Sequence, residues 1–210
     1  MNIVIRKAET KDLPEIAKVH INCFSDSFST ALGNNRGGVL LISYYKEYLD
    51  ANPDLFLVSE VDGRICGFCM GYLVGDKNFG KSYLMHNFTS ITIQMIKLIM
   101  SGNAVARDKV KHFLPGKSKE TVEFIDEDFE SIKANQKVDL LSICVLPEFR
   151  GSGIASNLIQ EYQKVGALLR REYCVLTVKT NNDRAIAFYK KQGFVIRKRT
   201  NEKFSLIKRI

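Results

Sequence analysis

Arg150, Gly151 and Gly153 stand where two hydrophobic periodicities meet. Leu140 to Val145 is a short apolar run of strand type, and Ser152 to Leu169 carries apolar residues at helical spacing. A strand-to-helix junction presents unpaired backbone N–H groups and the positive end of a helix dipole, which together hold an anion. Glycine suits such a loop because it lets a phosphate reach the backbone and accepts positive φ angles. A P-loop would continue with G-K-[ST], whereas Ile154, Ala155 and Ser156 follow here. A dinucleotide fingerprint also fits poorly, for want of its third small residue and its acidic ribose partner.

What does fit is V-x-P-x-x-[RQ]-G-x-G-[IV]-[AG], met by V-L-P-E-F-R-G-S-G-I-A from Val145 to Ala155. Downstream, Asn182 to Phe194 reads N-D-R-A-I-A-F-Y-K-K-Q-G-F and meets N-x-x-A-x-x-[LF]-Y-x-x-x-G-F. A strand-like V-L-T-V-K, Val175 to Lys179, lies between them. The two runs in this order resemble the acetyl-CoA loop and closing segment of the GNAT superfamily of N-acetyltransferases. The resemblance is sharp over residues 138–196, extends over 1–75 and is absent over 76–137.

That resemblance implies an α/β (α+β) fold: a mixed, mostly antiparallel central sheet flanked by helices. Its fourth strand splays from its fifth, and the pantetheine arm of acetyl-CoA fills the gap. The Ile143 and Val145 backbones then bond the pantetheine. Arg150, Gly151, Ser152, Gly153, Ile154 and Ala155 hold the diphosphate, with Ser156 in the first helical turns. Tyr189 stands where the family often places the group that protonates the departing thiolate. A phenol, with a pKa of about 10 against about 8.5 for a thiol, donates throughout and is re-protonated afterwards. Read for packing alone, Tyr189 is a core aromatic beside Phe188. Asn182 is a helix cap by its type and lies near the coenzyme by the resemblance.

Acetyl transfer to an amine also needs the amine to lose a proton. Asp139 opens the fourth strand and, by alternation, shares a face with Leu141, Ile143 and Val145. It reads as a solvated strand end or as the base, directly or through water. Glu123, Asp126, Glu127, Asp128 and Glu130 read as a solvated acidic face, and His20, His86 and His112 have no marking partner. Ordered water is a further route for the proton.

The elements that position these groups are ordinary for one domain spanning 1–210, with 45% hydrophobic and 26% charged residues. Ile3 to Arg6 alternates as a strand, and Asp12 with Glu15 forms a capping-box pattern before a helix. Cys23 to Gly38 reads as a loop or broken helix, and Leu40 to Leu49 as a second helix. Leu55 to Glu60 and Ile65 to Val74 are strands joined by a tight Asp62-Gly63 turn. Gly67 and Gly71 would weaken an ordinary strand and so signal a close backbone or ligand approach. Residues 76–137 read as a helical insertion between the third and fourth strands, with a helical pattern from Phe79 to Met100. Lys109 to Lys119 is basic and Glu120 to Glu130 acidic. Such an insertion suits packing within the monomer, an acceptor pocket, a homodimer contact or a membrane surface. Phe194 to Arg199 and Phe204 to Ile207 are the closing strands.

The net charge of +8 suits a polyanion such as coenzyme A. Dispersed basic residues and the absence of Trp argue against nucleic acid. Five scattered cysteines, with Cys66 and Cys69 unsupported by a second pair or a nearby His, imply free thiols in a reducing cytoplasm and no metal. Ile91 to Met100, broken by Gln94 and Lys97, is too short to span a bilayer. The expected activity is acetyl-CoA-dependent acetylation of a primary amine on a small molecule. Phe24 to Gly33, F-S-D-S-F-S-T-A-L-G, is similar to members serving bacterial surface-polysaccharide synthesis, which points to a nucleotide-linked amino sugar. The alternatives are a protein or peptide N-terminal acetyltransferase and a non-catalytic coenzyme-binding module.

Overall fold

A computed structural model of the protein describes residues 2–24, 39–75, 123–125 and 131–210, with backbone alone at Val39 and Leu40. The expected helix over Phe79 to Met100, the basic stretch after it, most of the 23–38 segment, His86 and His112 lie outside the described residues. So do Asp126, Glu127, Asp128 and Glu130.

The chain begins with β1 (Ile3–Lys7), a short 3-10 turn and α1 (Leu13–Cys23), followed by α2 (Val39–Ala51). Helix α1 starts where the sequence indicates, but its cap differs. Asp12 accepts from the Glu9 N–H at 2.8 Å and pairs with the Arg6 guanidinium at 2.6 Å, rather than capping α1 itself. Arg6 also reaches Glu60, so one guanidinium ties β1 to the start of α1 and to a residue over fifty positions on, and it holds the Asp12 carboxyl below the usual range.

Strands β2 (Phe56–Val61) and β3 (Arg64–Leu73) form the expected hairpin, with Asp62 at φ 50° and Gly63 at φ 81°. Positive φ at both central residues is what a tight type I′ turn demands. After the insertion come β5 (Lys137–Val145), α3 (Ile154–Leu168), β6 (Tyr173–Lys179), α4 (Asp183–Lys191), β7 (Val195–Arg199) and β8 (Lys203–Arg209). Within the insertion the described residues include β4, Glu123–Phe124, a strand rather than a helix. It pairs antiparallel with the outer edge of β7, Glu123 opposite Arg199 and Phe124 opposite Lys198. Glu123 is therefore exposed as expected, but on a sheet edge that the basic strand β7 attracts.

The described strands form one sheet in the order β1-β2-β3-β5-β6-β8-β7-β4. Only β5 and β6 pair in parallel, so the sheet is mixed and mostly antiparallel. Helices α1 and α2 cover one face, where Leu13, Ile16, Tyr45 and Leu49 pack on Phe56, Phe68 and Met70. Helix α3 covers the other, where Ile154, Leu158 and Tyr162 pack on Leu57, Cys69, Val138 and Leu140, with Phe188 and Tyr189 of α4 against the same core.

Between β3 and β5 the register slips: Met70 faces Ser142 while Gly71 faces Leu140, leaving Leu141 as the extra residue of a β-bulge. Here the two glycines earn their place. A Cβ on Gly67 would lie 2.8 Å from the Cys144 carbonyl oxygen, and one on Gly71 only 1.7 Å from that of Asp139. Gly71→Ala is therefore expected to destabilise the protein by about 3 kcal/mol, as overpacking against an immovable backbone does. Urea unfolding checks this, and a wild-type midpoint would show that the bulge does not need Gly71.

Candidate active site

The site is built where β5 and β6 part. Their parallel pairing covers Lys137, Val138 and Asp139 against Tyr173, Cys174 and Val175, and goes no further. From Leu140 to Val145, β5 keeps β3 on one side and has no ladder partner on the other among the described residues. The Leu146 N–H donates to the Cys66 carbonyl at 2.8 Å. In an antiparallel pair the residues bonded to one neighbour alternate, so Cys144 also turns its polar backbone groups to β3. Ile143 and Val145 then direct theirs into the gap, where an amide-bearing chain can bond them. The Arg150 Nε donates to the Val145 carbonyl oxygen at 3.3 Å, which ties the glycine loop to the end of β5.

Beyond Val145 the chain makes a 3-10 turn over Pro147–Phe149 and enters the glycine loop. Gly151 has φ 84° and Gly153 φ 86°, conformations that side chains disfavour, and a Cβ at either would meet nothing within 4 Å. Space over both residues is open. Gly153 is the N-cap of α3 and supplies no side-chain hydrogen bond, so the first N–H groups of the helix, at Ile154, Ala155 and Ser156, remain available. Ser152 Oγ donates to the Phe149 carbonyl at 2.6 Å and stiffens the turn. Ser156 Oγ accepts from Gln192 at 3.1 Å, which ties the first turn of α3 to the end of α4.

Asn182 caps α4, its side-chain oxygen accepting from the Ala185 N–H at 3.2 Å. Tyr189 lies on α4 with its ring 5.4 Å from Phe188 and 5.8 Å from Phe194. Burial pushes its phenol pKa well up, so it stays protonated, and its hydroxyl makes no hydrogen bond with the described residues. The buried Cys174 thiol, at the point where β5 and β6 part, feels both Tyr189 and Asp139. Tyr189 packs with the α3-side core that holds Cys174, and the Asp139 carboxyl lies on the opposite face of the sheet, bonded to Tyr72.

Asp139 departs from both details of its sequence reading. It is not a solvated strand end: β5 begins at Lys137, and burial raises the carboxyl from its ordinary 3.8 to about 6, partly offset by a 3.3 Å bond from Tyr72 Oη. Nor does it share a face with Ile143 and Val145. Those two pack towards α3, whereas Asp139 points to the Tyr72 side under α2. The bulge at Leu141 is the cause, because one extra residue reverses the alternation on either side of it. Leu141 itself is 40% exposed and belongs to neither core.

The sequence did not single out Tyr72, Tyr48 or Tyr162 around this carboxylate. Tyr48 rings pack near Tyr72 at 6.3 Å, and burial raises the Tyr72 phenol to about 12. The one available signal was Gly71, adjacent to Tyr72. His20, by contrast, is buried against Phe24, bonds Tyr45 Oη at 2.5 Å and is pushed down to about 4 by burial. It is a neutral packing residue. Among the described residues no group of His, Cys, Asp and Glu could hold a metal ion, all five cysteines are free, and no helix is long and apolar enough to cross a membrane.

Residues 117–196 match a family described as an acetyltransferase (GNAT) domain. An uncharacterised N-acetyltransferase of Methanocaldococcus jannaschii is 25% identical over 83 residues, 40% of this chain. The match spans 43% of that protein's length, less than half. The structure of PaiA N-acetyltransferase from Thermoplasma acidophilum, in complex with coenzyme A, superposes with TM-score 0.61 at 17% identity, covering all of both chains. The ribosomal-protein-S18-alanine N-acetyltransferase of Escherichia coli gives TM-score 0.55 at 12% identity over 100% of this chain and 94% of that one. At such identities these two likenesses show the fold, and the fold is that of the GNAT acetyltransferases.

Proposed function

We propose that this chain, which carries an acetyltransferase (GNAT) domain, moves the acetyl group of acetyl-CoA to the terminal amine of a peptide. The observation that carries the transferase reading is the edge of β5 from Leu140 to Val145, which has no ladder partner on its β6 side among the described residues and leads into the glycine loop. Pantetheine lies along that edge, bonded by the Ile143 and Val145 backbones. Its diphosphate meets Arg150, the open backbone at Gly151, Ser152 and Gly153, and the free N–H groups at Ile154, Ala155 and Ser156, where a helix dipole favours an anion. Asn182 fixes the start of the helix that presents Tyr189.

With a value of about 6, Asp139 is ionised at pH 7 and takes the proton of the attacking amine. The neutral nitrogen adds to the thioester carbonyl, the C–S bond breaks, the thiolate takes a proton from Tyr189, and the second proton that the nitrogen sheds on becoming an amide returns through solvent to the phenolate, whose raised pKa draws it back. Tyr189→Phe is thus expected to lower kcat by about 100-fold, the usual worth of a positioned acid, with acetyl-CoA affinity unchanged. Stopped-flow thiol release against coenzyme titration separates the two. A full-speed variant would leave Tyr189 as packing, and a wild type that binds coenzyme without turning over any amine would make the chain an idle module.

A peptide acceptor is favoured over an amino sugar because one protein of the same fold acts on a ribosomal-protein alanine. The aromatic wall of Tyr48 and Tyr72 suits an alkyl ammonium before it loses its proton. The test is acetyl-CoA-dependent thiol release over a panel of N-terminal peptides, polyamines, free amino sugars and nucleotide amino sugars. Turnover of peptides is expected; turnover confined to nucleotide amino sugars would overturn the peptide reading and restore the sugar.

A further inference from the structure

We propose that Tyr162 is a positioning residue for Asp139: from the opposite face of the sheet, its hydroxyl pins the bulged backbone that aims the Asp139 carboxyl. The role rests on the acetyl-transfer reading above. Tyr162 is fully buried on α3 and donates its hydroxyl hydrogen to the Asp139 carbonyl oxygen at 2.5 Å. Its place on the helix follows from spacing, since Ile154, Leu158 and Tyr162 recur at every fourth residue and form one buried stripe. Gly71 completes the arrangement. A Cβ there would stand 1.7 Å from that carbonyl oxygen and 2.1 Å from the Tyr162 hydroxyl, so the contact exists only because residue 71 lacks a side chain.

The consequence is a two-sided grip on one residue. Tyr162 holds the carbonyl of Asp139 on the α3 face, and Tyr72 bonds its carboxyl at 3.3 Å on the other. Two residues further along β5 lies the register slip at Leu141, which puts Asp139 on the face opposite Ile143 and Val145. Asp139 has a ladder partner on either side, Tyr72 and Val175, two residues before the extra residue of the bulge, and the Tyr162 hydroxyl adds a hold on its carbonyl from outside the plane of the sheet. The strut that supplies this bond is α3, the helix that opens at the glycine loop, so diphosphate site and carboxyl are set by one rigid element. The titratable groups around the carboxyl are Tyr72 of β3, Tyr48 of α2 and Cys174 of β6, with Tyr162 of α3 behind the carbonyl. Burial raises all four, so none carries charge at pH 7.

Tyr162→Phe keeps the ring and removes only the hydroxyl. The carboxyl carbon of Asp139, followed by NMR in 13C-aspartate-labelled protein and assigned with Asp139→Asn, is expected to titrate at least one pH unit below its wild-type midpoint near 6. A loosened bulge admits water to the carboxylate and favours its charged form. In the same variant kcat is expected to fall about tenfold or more with the KM for acetyl-CoA within twofold. A hydroxyl that served stability alone would lower the melting temperature and leave midpoint and kcat where they were, and that result would overturn the proposal. Should the Phe variant not fold, 3-fluorotyrosine at position 162 keeps the shape. Its 19F resonance is then expected to shift with the Asp139 titration and to stay flat in Asp139→Asn; a flat response in both would equally overturn it. The NMR midpoint needs no turnover. A wild type inactive towards every amine would sink the transferase reading alone, whereas an unchanged midpoint in an active enzyme would sink the positioning role alone.

Discussion

Asp139→Asn is expected to lower kcat/KM by about 100- to 1,000-fold at pH 7.5 and, in the same protein, to raise stability. Both effects come from one cause. Burial lifts the carboxyl from 3.8 to about 6, and the Tyr72 bond only partly opposes it. The folded chain therefore prefers this group neutral. Its contribution to stability is complete below pH 3.8 and is lost as the pH rises through about 6, because the folded state must then carry a half-buried charge. At pH 7.5 the ionised carboxylate costs the fold about 1–3 kcal/mol, which a neutral amide of the same shape does not. A melting temperature several degrees above wild type at pH 8, converging with it at pH 4, is the expected signature. The rate behaves in the opposite sense. Wild-type kcat/KM should fall as the pH drops through about 6 and the base takes up a proton, and that acid limb should vanish in the Asn variant. An acid limb that survives the substitution would place the base elsewhere, in an ordered water or on a residue outside the described set.

What made the glycine loop legible in the sequence is that its causes are local. Pro147, Gly151 and Gly153 set a turn between neighbours in the chain, and the positive φ at both glycines is a property of a few consecutive residues. The same holds for the Asp62-Gly63 hairpin and for Asn182, whose cap bond reaches three residues ahead. Asp139 was expected on the face of Ile143 and Val145 and lies on the other, and the reason is equally physical. Strand alternation is local, but the bulge that breaks it depends on Gly71 in another strand and Tyr162 in a later helix. The glycines of β3 did signal a close approach; nothing in the chain says which backbone approaches. Asp12 illustrates the same limit, since a capping pattern read within one helix loses to a guanidinium arriving from β1. Strand β4 was beyond reach altogether. Two residues carry no periodicity, and their placement is fixed by the free edge and positive charge of β7, roughly seventy residues on.

Gly153→Val is expected to raise the dissociation constant for acetyl-CoA by about 100-fold or more, the worth of one to two charge-assisted hydrogen bonds. The residue caps α3 at φ 86°, where a β-branched side chain is a genuine outlier, so the loop must rearrange or store strain of about 1–2 kcal/mol. Within the protein a side chain there meets nothing, since no atom lies within 4 Å of a Cβ at this position. That emptiness is what turns the substitution into a test of ligand rather than of packing: the added methyls occupy the space a diphosphate needs in order to reach the helix N–H groups. Wild-type protein at 100 times its dissociation constant for acetyl-CoA should gain about 2.7 kcal/mol of stability, and the variant at the same concentration well under half of it. A truncated thioester, acetyl-pantetheine, supplies the control, because it lies along β5 without a diphosphate. It should bind both proteins alike. If acetyl-CoA also bound both alike, the glycine loop would not hold the diphosphate, and Arg150 with the open β5 edge would need another ligand. If both ligands weakened together, the loop would be acting through the direction of β5 itself, by way of the Arg150 bond to the Val145 carbonyl, rather than by touching phosphate.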